Sequence, residues 1–288
     1  MSRPSVGAVV LSMGTRPAEF PLALSTLLAQ EDVDLDVVVV GNGWDPVGLP
    51  PGVRTIHLPE NVGIPEGRNV GAAQAHGDVL FFYDDDASLP TTDVLARLCA
   101  VLIEHPEVGA VQPRPVDPTG LPSPKRWVPR PGSRHPLRPG VVGWIWEGTF
   151  VVRAQVFRDA GGWPGQFFYG HEGIELVWRI WDQGYTTWYA PDIVMNHPAT
   201  SPARHAVYLR NNARNRVWVA RRNLPAPLIA VYLCTWTLVS VVRLRSPRLL
   251  REWFAGFRDG LGPGAGDRRI MRWSTVLRLS RAGRPPVI

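Results

Sequence analysis

The chain has 288 residues, 31 Lys and Arg, 25 Asp and Glu, and a formal net charge of +6, a length that suits one large domain or two modest ones and buries a core without staples. With 45% hydrophobic and 19% charged residues it is not a disordered chain, and two cysteines, Cys99 and Cys234, exclude both a disulfide framework and a thiolate zinc site. The basic surplus is uneven: from Arg243 onward 11 Arg face three acids (Glu252, Asp259, Asp267), a surplus of eight, which leaves residues 1–242 with a deficit of two.

Val6–Leu11 is an apolar, β-branched run, too short for a signal-peptide core and without a small-residue cleavage site, and it reads as a buried strand. Gly14 and Pro17 break it, and Phe20, Leu24, Leu27 and Leu28 then give helical spacing over Phe20–Gln30. Asp36–Val40 predicts a second strand ended by Gly41-Asn42-Gly43, and Val53–Leu58 a third. Glu66–His76 reads as a helix stopped by Gly77, Val79–Tyr83 as a fourth strand ending in Asp84-Asp85-Asp86, Val94–Glu104 as a helix and Gly109–Gln112 as a strand. This alternation predicts a parallel, doubly wound α/β sheet, in which ligands sit beyond the carboxyl ends of strands. Gln112–Gly140, with nine prolines and six basic residues (Arg114, Lys125, Arg126, Arg130, Arg134, Arg138), reads as a long loop. Strand character returns over Val141–Val152. An amphipathic helix follows within Phe167–Gly184, short strands at Tyr185–Ala190 and Ile193–Asn196, and a basic helix over Asn211–Arg222.

Leu224–Val242 holds 19 residues without a charge, about 28 Å as a helix and borderline for a bilayer crossing. Arg221 and Arg222 precede it, Arg243, Arg245 and Arg248 follow it, and Pro225 and Pro227 mark its start. Basic flanks on both sides favour a helix lying in a membrane interface over a span. Leu249–Phe257 fits the same picture, with Leu250, Trp253, Phe254 and Phe257 on one face and Arg251 and Arg258 off it. Basic residues beside an apolar run, on a slightly acidic body, favour a membrane surface over nucleic acid.

Three places carry chemistry. Asp84-Asp85-Asp86 at a strand end suits Mg²⁺ or Mn²⁺ with substrate phosphates; the same acids also serve as a turn that caps a helix. Glu172 in His171-Glu172-Gly173-Ile174-Glu175, among Trp163, Phe167, Phe168, Trp178 and Trp181, suits a general base, or a helix N-terminal acid that complements the dipole. His197, after Ala190-Pro191-Asp192, is a possible imidazole partner for an ion on Asp86 or a structural histidine.

In order, Thr15-Arg16-Pro17, the Leu24–Leu28 helix, Val37–Val40 with Gly41-Asn42-Gly43, Asn61–Gly71 (containing Arg68-Asn69) and Gly77–Asp86 are followed by Gly161-Gly162-Trp163, Glu172–Arg179, Gly184-Tyr185 and Ala190-Pro191-Asp192 leading to His197. This series resembles the family 2 inverting glycosyltransferases of GT-A fold over roughly residues 5–222, and the Arg-rich tail is similar to those of actinobacterial members. The resemblance implies an α/β GT-A fold with a doubly wound mixed sheet. It implies a catalytic domain over 1–222 (1–86 the nucleotide-sugar half, 87–222 the acceptor half) and a C-terminal helical, membrane-associated extension over 223–288. It assigns Thr15, Arg16, Asn42, Arg68, Asn69, Asp84 and Asp85 to the nucleotide sugar, and Asp84, Asp86 and His197 to Mg²⁺ or Mn²⁺. Glu172 becomes the base with Glu175 in reserve, and Trp144, Trp163, His171 and Trp178 face the acceptor.

Two departures stand out. The family's Asp-Asn after the second strand is Gly41-Asn42, and the second acid of its Glu-Asp pair is Gly173. The implied reaction is a single in-line displacement from a nucleoside-diphosphate sugar to a hydroxyl of a lipid-linked or cell-envelope acceptor. It would run in the cytoplasm, peripherally at the inner face of the cell membrane. Two other readings stand beside it: a non-catalytic membrane-bound sugar-binding protein, and a sugar-1-phosphate nucleotidylyltransferase, for which Ser12–Pro17 is a poor signature.

Overall fold

The computed structural model describes residues 3–129, 135–199 and 208–287; Arg130 and Arg134 of the basic loop lie outside the described residues. The elements in chain order are β1 (Ser5–Ser12), α1 (Glu19–Leu28), β2 (Asp34–Asn42), β3 (Val53–Leu58), α2 (Ile64–Gln74), β4 (Val79–Asp84), α3 (Val94–Glu104), β5 (Val108–Val116), β6 (Gly140–Val142), β7 (Thr149–Arg153), α4 (Ala154–Ala160), α5 (Glu172–Asp182), β8 (Thr186–Asn196), α6 (Tyr208–Asn223), α7 (Ala226–Arg243), α8 (Pro247–Leu261) and α9 (Trp273–Arg281).

Eight strands form one sheet in the order β3-β2-β1-β4-β7-β5-β8-β6. The first four are parallel, β7 runs antiparallel to both β4 and β5, β8 is parallel to β5, and β6 is antiparallel to β8. The sheet is therefore mixed, as the resemblance implies; strand–helix alternation alone predicts a parallel one and cannot see that β7 inserts between β4 and β5. Successive side chains of a strand point to opposite faces, and the core divides accordingly. Val9, Val38, Val40, Leu80, Phe82 and Phe150 face one layer with Phe157, Leu176, Val177 and Ile180 of α4 and α5. Val10, Val37, Val39, Phe81 and Tyr83 face the other, with Leu24 and Leu27 of α1 and Leu95, Leu98 and Leu102 of α3. Gly67 and Gly71, four residues apart on one face of α2, let that helix lie directly on the sheet. A Cβ on Gly67 would stand 2.5 Å from a Leu11 methyl, and one on Gly71 2.9 Å from a Val40 methyl.

Several expected boundaries shift, each for a physical reason. The proline-rich segment after Gln112 is not wholly loop: β5 continues to Val116. Beyond Val111 it pairs with β8 alone, so Pro113 and Pro115 lie on a strand with one free edge, where a missing N–H is tolerated. A single strand, β8, replaces the two expected between Tyr185 and Asn196, because a register shift opposite Pro113 and Arg114 absorbs the Pro191-Asp192 interruption. Val141–Val152 is two strands on different parts of the sheet, joined by a turn at 143–148.

The C-terminal helices divide in their packing. α8 crosses α6 closely, with a Cβ on Gly256 falling 2.8 Å from the Arg210 backbone. α9 is held to α5, where the Thr275 hydroxyl donates to Asp182 at 2.5 Å and Arg278 donates to the Trp181 carbonyl at 2.9 Å. Of α7, Tyr232 alone is buried. Among the described residues, α7 is the one helix long and apolar enough to cross a membrane by length and composition.

Candidate active site

β4 carries Asp84 to the carboxyl edge of the sheet, and the turn that follows brings Asp85 and Asp86 round. β8 ends beside it and delivers His197, whose N–H donates to the Val116 carbonyl at 2.9 Å. His197 Nε2 lies 3.1 Å from Asp86 Oδ1 and 3.4 Å from Asp84 Oδ2. Its Nδ1 is 2.9 Å from the Pro198 carbonyl. That contact suits a proton on Nδ1 and leaves Nε2 for the carboxylates or an ion. Trp127 and Trp146 meet the ring edge-on, each at 4.8 Å.

The three ligand atoms lie within 4.8 Å of one another. Two carboxylates and an imidazole are a donor set that suits Mg²⁺ or Mn²⁺, so the residues fit the ion. Burial disfavours charge on His197, but the hydrogen bonds and charges of Asp84 and Asp86 outweigh it and push the ring up to about 9.

Two arginines reach the same cluster. Arg16, from the loop after β1, pairs with Asp86 and lies 3.3 Å from Asp85. Arg68 of α2, 3% exposed, donates to Asp84 Oδ1 at 2.6 Å. Asp85 accepts from the Ser12 hydroxyl at 2.7 Å. Burial pushes its carboxyl up to about 6, with the charge of Asp86 adding to the rise and Ser12 and Arg16 opposing it.

Across the site stands the N-terminus of α5. Phe168 and His171 just before it hold φ of 63° and 70°, a left-handed conformation that costs a non-glycine residue energy. Asn215 of α6 fixes the bend by donating to the carbonyls of Phe167 (3.0 Å), Tyr169 (3.0 Å) and Gly170 (2.7 Å). Glu172 follows, 4% exposed, with Oε2 buried and unpartnered. Burial, reinforced by the charge of Glu147, pushes its carboxyl up to about 8.

Glu147 carries no assignment from the sequence. It sits in the 143–148 turn, half-buried, and its Oε1 accepts the Gly173 N–H at 3.2 Å. The available signal is composition: Glu147 is the sole acid between Asp117 and Asp159, and it is set in Trp144-Ile145-Trp146-Glu147-Gly148.

Residues 17–159 match the family model for glycosyl transferase family 2. The chain carries a glycosyl transferase family 2 domain. The matched stretch contains the Asp84–Asp86 turn and Glu147, while Glu172 and His197 lie beyond it. No curated protein sequence matches the chain. Among solved structures, S. aureus TarS 1–349 with UDP-GlcNAc aligns with a TM-score of 0.66 at 14% identity, over 89% of this chain and 80% of that one. GalNAc-T7 with UDP, GalNAc and Mn²⁺ gives 0.63 at 13% identity, over 88% of this chain and 55% of that one, so this chain spans about half of that protein's length. The mannosyltransferase PcManGT from Pyrobaculum calidifontis with GDP-Man and Mn²⁺ gives 0.57 at 20% identity, over 98% and 80%. Likeness at these identities establishes the GT-A fold.

The remaining residues of this glycosyltransferase divide by what they touch. Thr15 is exposed on the loop that carries Arg16. Asn42 is buried and committed to the backbone: it donates to Asn61 Oδ1 (2.9 Å) and the Gly63 carbonyl (3.3 Å) and accepts from Val62 (2.8 Å). Gly41 has no room for a carboxylate, because a Cβ there would collide with the Trp44 carbonyl and lie 2.7 Å from Pro46 Cδ. Asn69 clamps Trp163, donating to its carbonyl and accepting its N–H, both at 2.9 Å.

Trp163 and Trp178 are core residues, 2% and 5% exposed. Trp163 packs on Phe82 and under Arg68, and Trp178 on Tyr232. Trp144 is half-buried on the Glu147 turn, and His171 is buried, with Nε2 unpartnered. Glu175 points away from the metal cluster. It is fully buried and bound by Arg179 at 2.5 Å, by Arg222 at 2.8–2.9 Å and by Asn223 at 2.9 Å. The structure therefore brings Asp84, Asp85, Asp86, His197, Arg16 and Arg68 together and sets Glu172 across from them, with Glu175 in the α5–α6 packing.

Proposed function

We propose that this chain moves a hexosyl or deoxyhexosyl unit from a nucleoside-diphosphate sugar to a hydroxyl of a lipid-linked or cell-envelope glycan, with inversion in a single displacement, at the inner face of the cell membrane. The observation that carries this reading is the cluster of Asp84, Asp86 and His197 at the carboxyl edge of the sheet, flanked by Arg16 and Arg68. The structurally similar proteins hold UDP or GDP-Man with Mn²⁺, or UDP-GlcNAc, which supports the donor class. Residues 1–86 form the donor half and 87–222 the acceptor half.

Asp84, Asp86 and His197 would hold the cation, which when bound neutralises charge developing on the departing diphosphate. Arg16 and Arg68 present guanidinium groups to the same phosphates. Thr15 borders the nucleoside, and Asn42 and Asn69 shape the donor side by fixing the 61–63 turn and the Gly162-Trp163 corner. The acceptor hydroxyl approaches from the α5 side, past Trp144, where the carboxylates at the α5 N-terminus, Glu172 among them, take part in removing its proton. Residues 223–288 carry the exposed apolar face of α7 beside arginines, which supports attachment to an anionic membrane surface.

Thermal-shift measurements against UDP, GDP, dTDP and their sugars with Mn²⁺ or Mg²⁺ test the donor, followed by release of the nucleoside diphosphate. A cation-dependent shift together with sugar turnover is expected. A shift without turnover would instead support a sugar-binding protein, and pyrophosphate release from a nucleoside triphosphate a nucleotidylyltransferase. Glu172→Gln is expected to lower turnover by about 10²-fold or more while leaving nucleotide binding intact; unchanged turnover removes Glu172 from the chemistry.

A further inference from the structure

Glycine at 173 leaves α5 one carboxylate short of the family's acidic pair, and the fold supplies one from elsewhere. A Cβ on Gly173 would lie 2.6 Å from both the carboxyl carbon and Oε1 of Glu147. The volume into which a side chain at 173 would project is filled by the Glu147 carboxylate, which is fastened there by the Gly173 N–H at 3.2 Å. Glu147 and Gly173 are thus a matched pair: any larger residue at 173 would displace Glu147.

The turn that carries Glu147 is fixed at its other end to the metal cluster. The Glu147 carbonyl accepts from Arg68 at 2.9 Å, and the Trp146 N–H donates to Gln112 at 2.7 Å. The Trp146 ring meets His197 at 4.8 Å, and a Cβ on Gly148 would stand 2.7 Å from Asp84 Oδ2. One short turn therefore bridges the cation site and the N-terminus of α5. Of the two carboxylates at that end, Glu172 is 4% exposed whereas Glu147 is half-buried, so Glu147 is the more accessible residue of the two.

We propose that Glu147, reaching from the β6–β7 turn into the space left by Gly173, is the carboxylate that removes the acceptor's proton, with Glu172 behind it; this rests on the glycosyl-transfer reading. In the step, the acceptor O–H breaks and its proton passes to Glu147. The oxygen's electron pair forms the new bond to the anomeric carbon, and the bond from that carbon to the diphosphate oxygen breaks, its pair leaving with the diphosphate. Burial raises both carboxyls, Glu172 to about 8 with the charge of Glu147 adding to the rise, while Arg68 and the Gly173 N–H oppose the rise at Glu147.

Glu147→Gln keeps the size of the side chain and an oxygen to accept from Gly173, so a purely structural cap would survive it. The expected result is Mn²⁺-dependent turnover of the UDP-, GDP- or dTDP-sugar lowered by about 10²–10⁴-fold, with unchanged affinity for the corresponding nucleoside diphosphate and an unchanged melting temperature. The carboxylate can also be moved across the gap: Glu147→Gly/Gly173→Asp is expected to recover at least tenfold over Glu147→Gly/Gly173→Ala. A Glu147→Gln protein within threefold of the unaltered kcat overturns the assignment, as does a relocated carboxylate that recovers nothing. Either result, obtained with an unaltered protein that binds and turns over the sugar nucleotide, leaves the transfer reading standing. An unaltered protein that does neither overturns both.

Discussion

His197 is where proton and cation compete for the same nitrogen. A ligating imidazole must be neutral, yet in the metal-free protein Asp84 and Asp86 hold the ring protonated up to about 9. Mn²⁺ affinity is therefore expected to rise roughly tenfold per pH unit from pH 7 towards 9, as read by calorimetric titration. Stability of the metal-free protein runs the other way. The ring's folded value lies above its ordinary 6.5, so its contribution is complete below about 6.5 and is lost as pH rises through 9. A tenfold gain in the ring's proton affinity on folding corresponds to about 1.4 kcal/mol. The melting temperature of the metal-free protein should fall across that window, and His197→Ala should flatten both slopes. A melting temperature independent of pH in the unaltered metal-free protein would contradict this account.

At the scale of elements, α5 and α6 are joined by charge as well as by apolar packing. Glu175, fully buried, pairs with Arg179 on its own helix and with Arg222 on the next. Removing one member of such a group leaves buried charge uncompensated. Glu175→Ala is therefore expected to cost about 3–5 kcal/mol in denaturant unfolding, with kcat per folded molecule little changed. What the sequence revealed follows the same division between local and distant causes. The β-branched runs of β1, β2 and β4 and the acids at the end of β4 are local patterns, and they were legible. Glu172 and Glu175 sit three residues apart on one helix, and spacing alone treats them alike. They are separated by Arg222, 47 residues further on, a partner that only the folded chain reveals. Glu147 was hidden because the apolar residues on either side of it continue the rhythm of a strand. That strand is in fact two, and the break between them is where the side chain turns into the site.

For the whole molecule, the uneven charge noted in the sequence becomes a matter of faces. Leu238 and Val242 of α7 are 66% and 68% exposed, while Arg269 and Arg278 of the basic tail are tied to carbonyls of Ala160 and Trp181. Removing residues 223–288 would strip those ties from the catalytic body, so point changes on α7 are the cleaner probe. Leu238→Glu/Val242→Glu is expected to reduce flotation with anionic phosphatidylserine vesicles at least fivefold, with sugar-nucleotide turnover in solution unaffected; equal flotation would count against attachment through α7.

The cluster at the strand ends has a last consequence, for the order of events. Asp84, Asp85 and Asp86 face Arg16, Arg68 and His197, three acids against three cations, so in the metal-free protein the site is already close to neutral. A divalent ion arriving alone would leave it with a positive excess, and a diphosphate arriving alone with a negative one. The two cancel each other, so each tightens the other's hold by the same factor. A cation would thus be held most tightly while a diphosphate, of donor or of product, lies in the site.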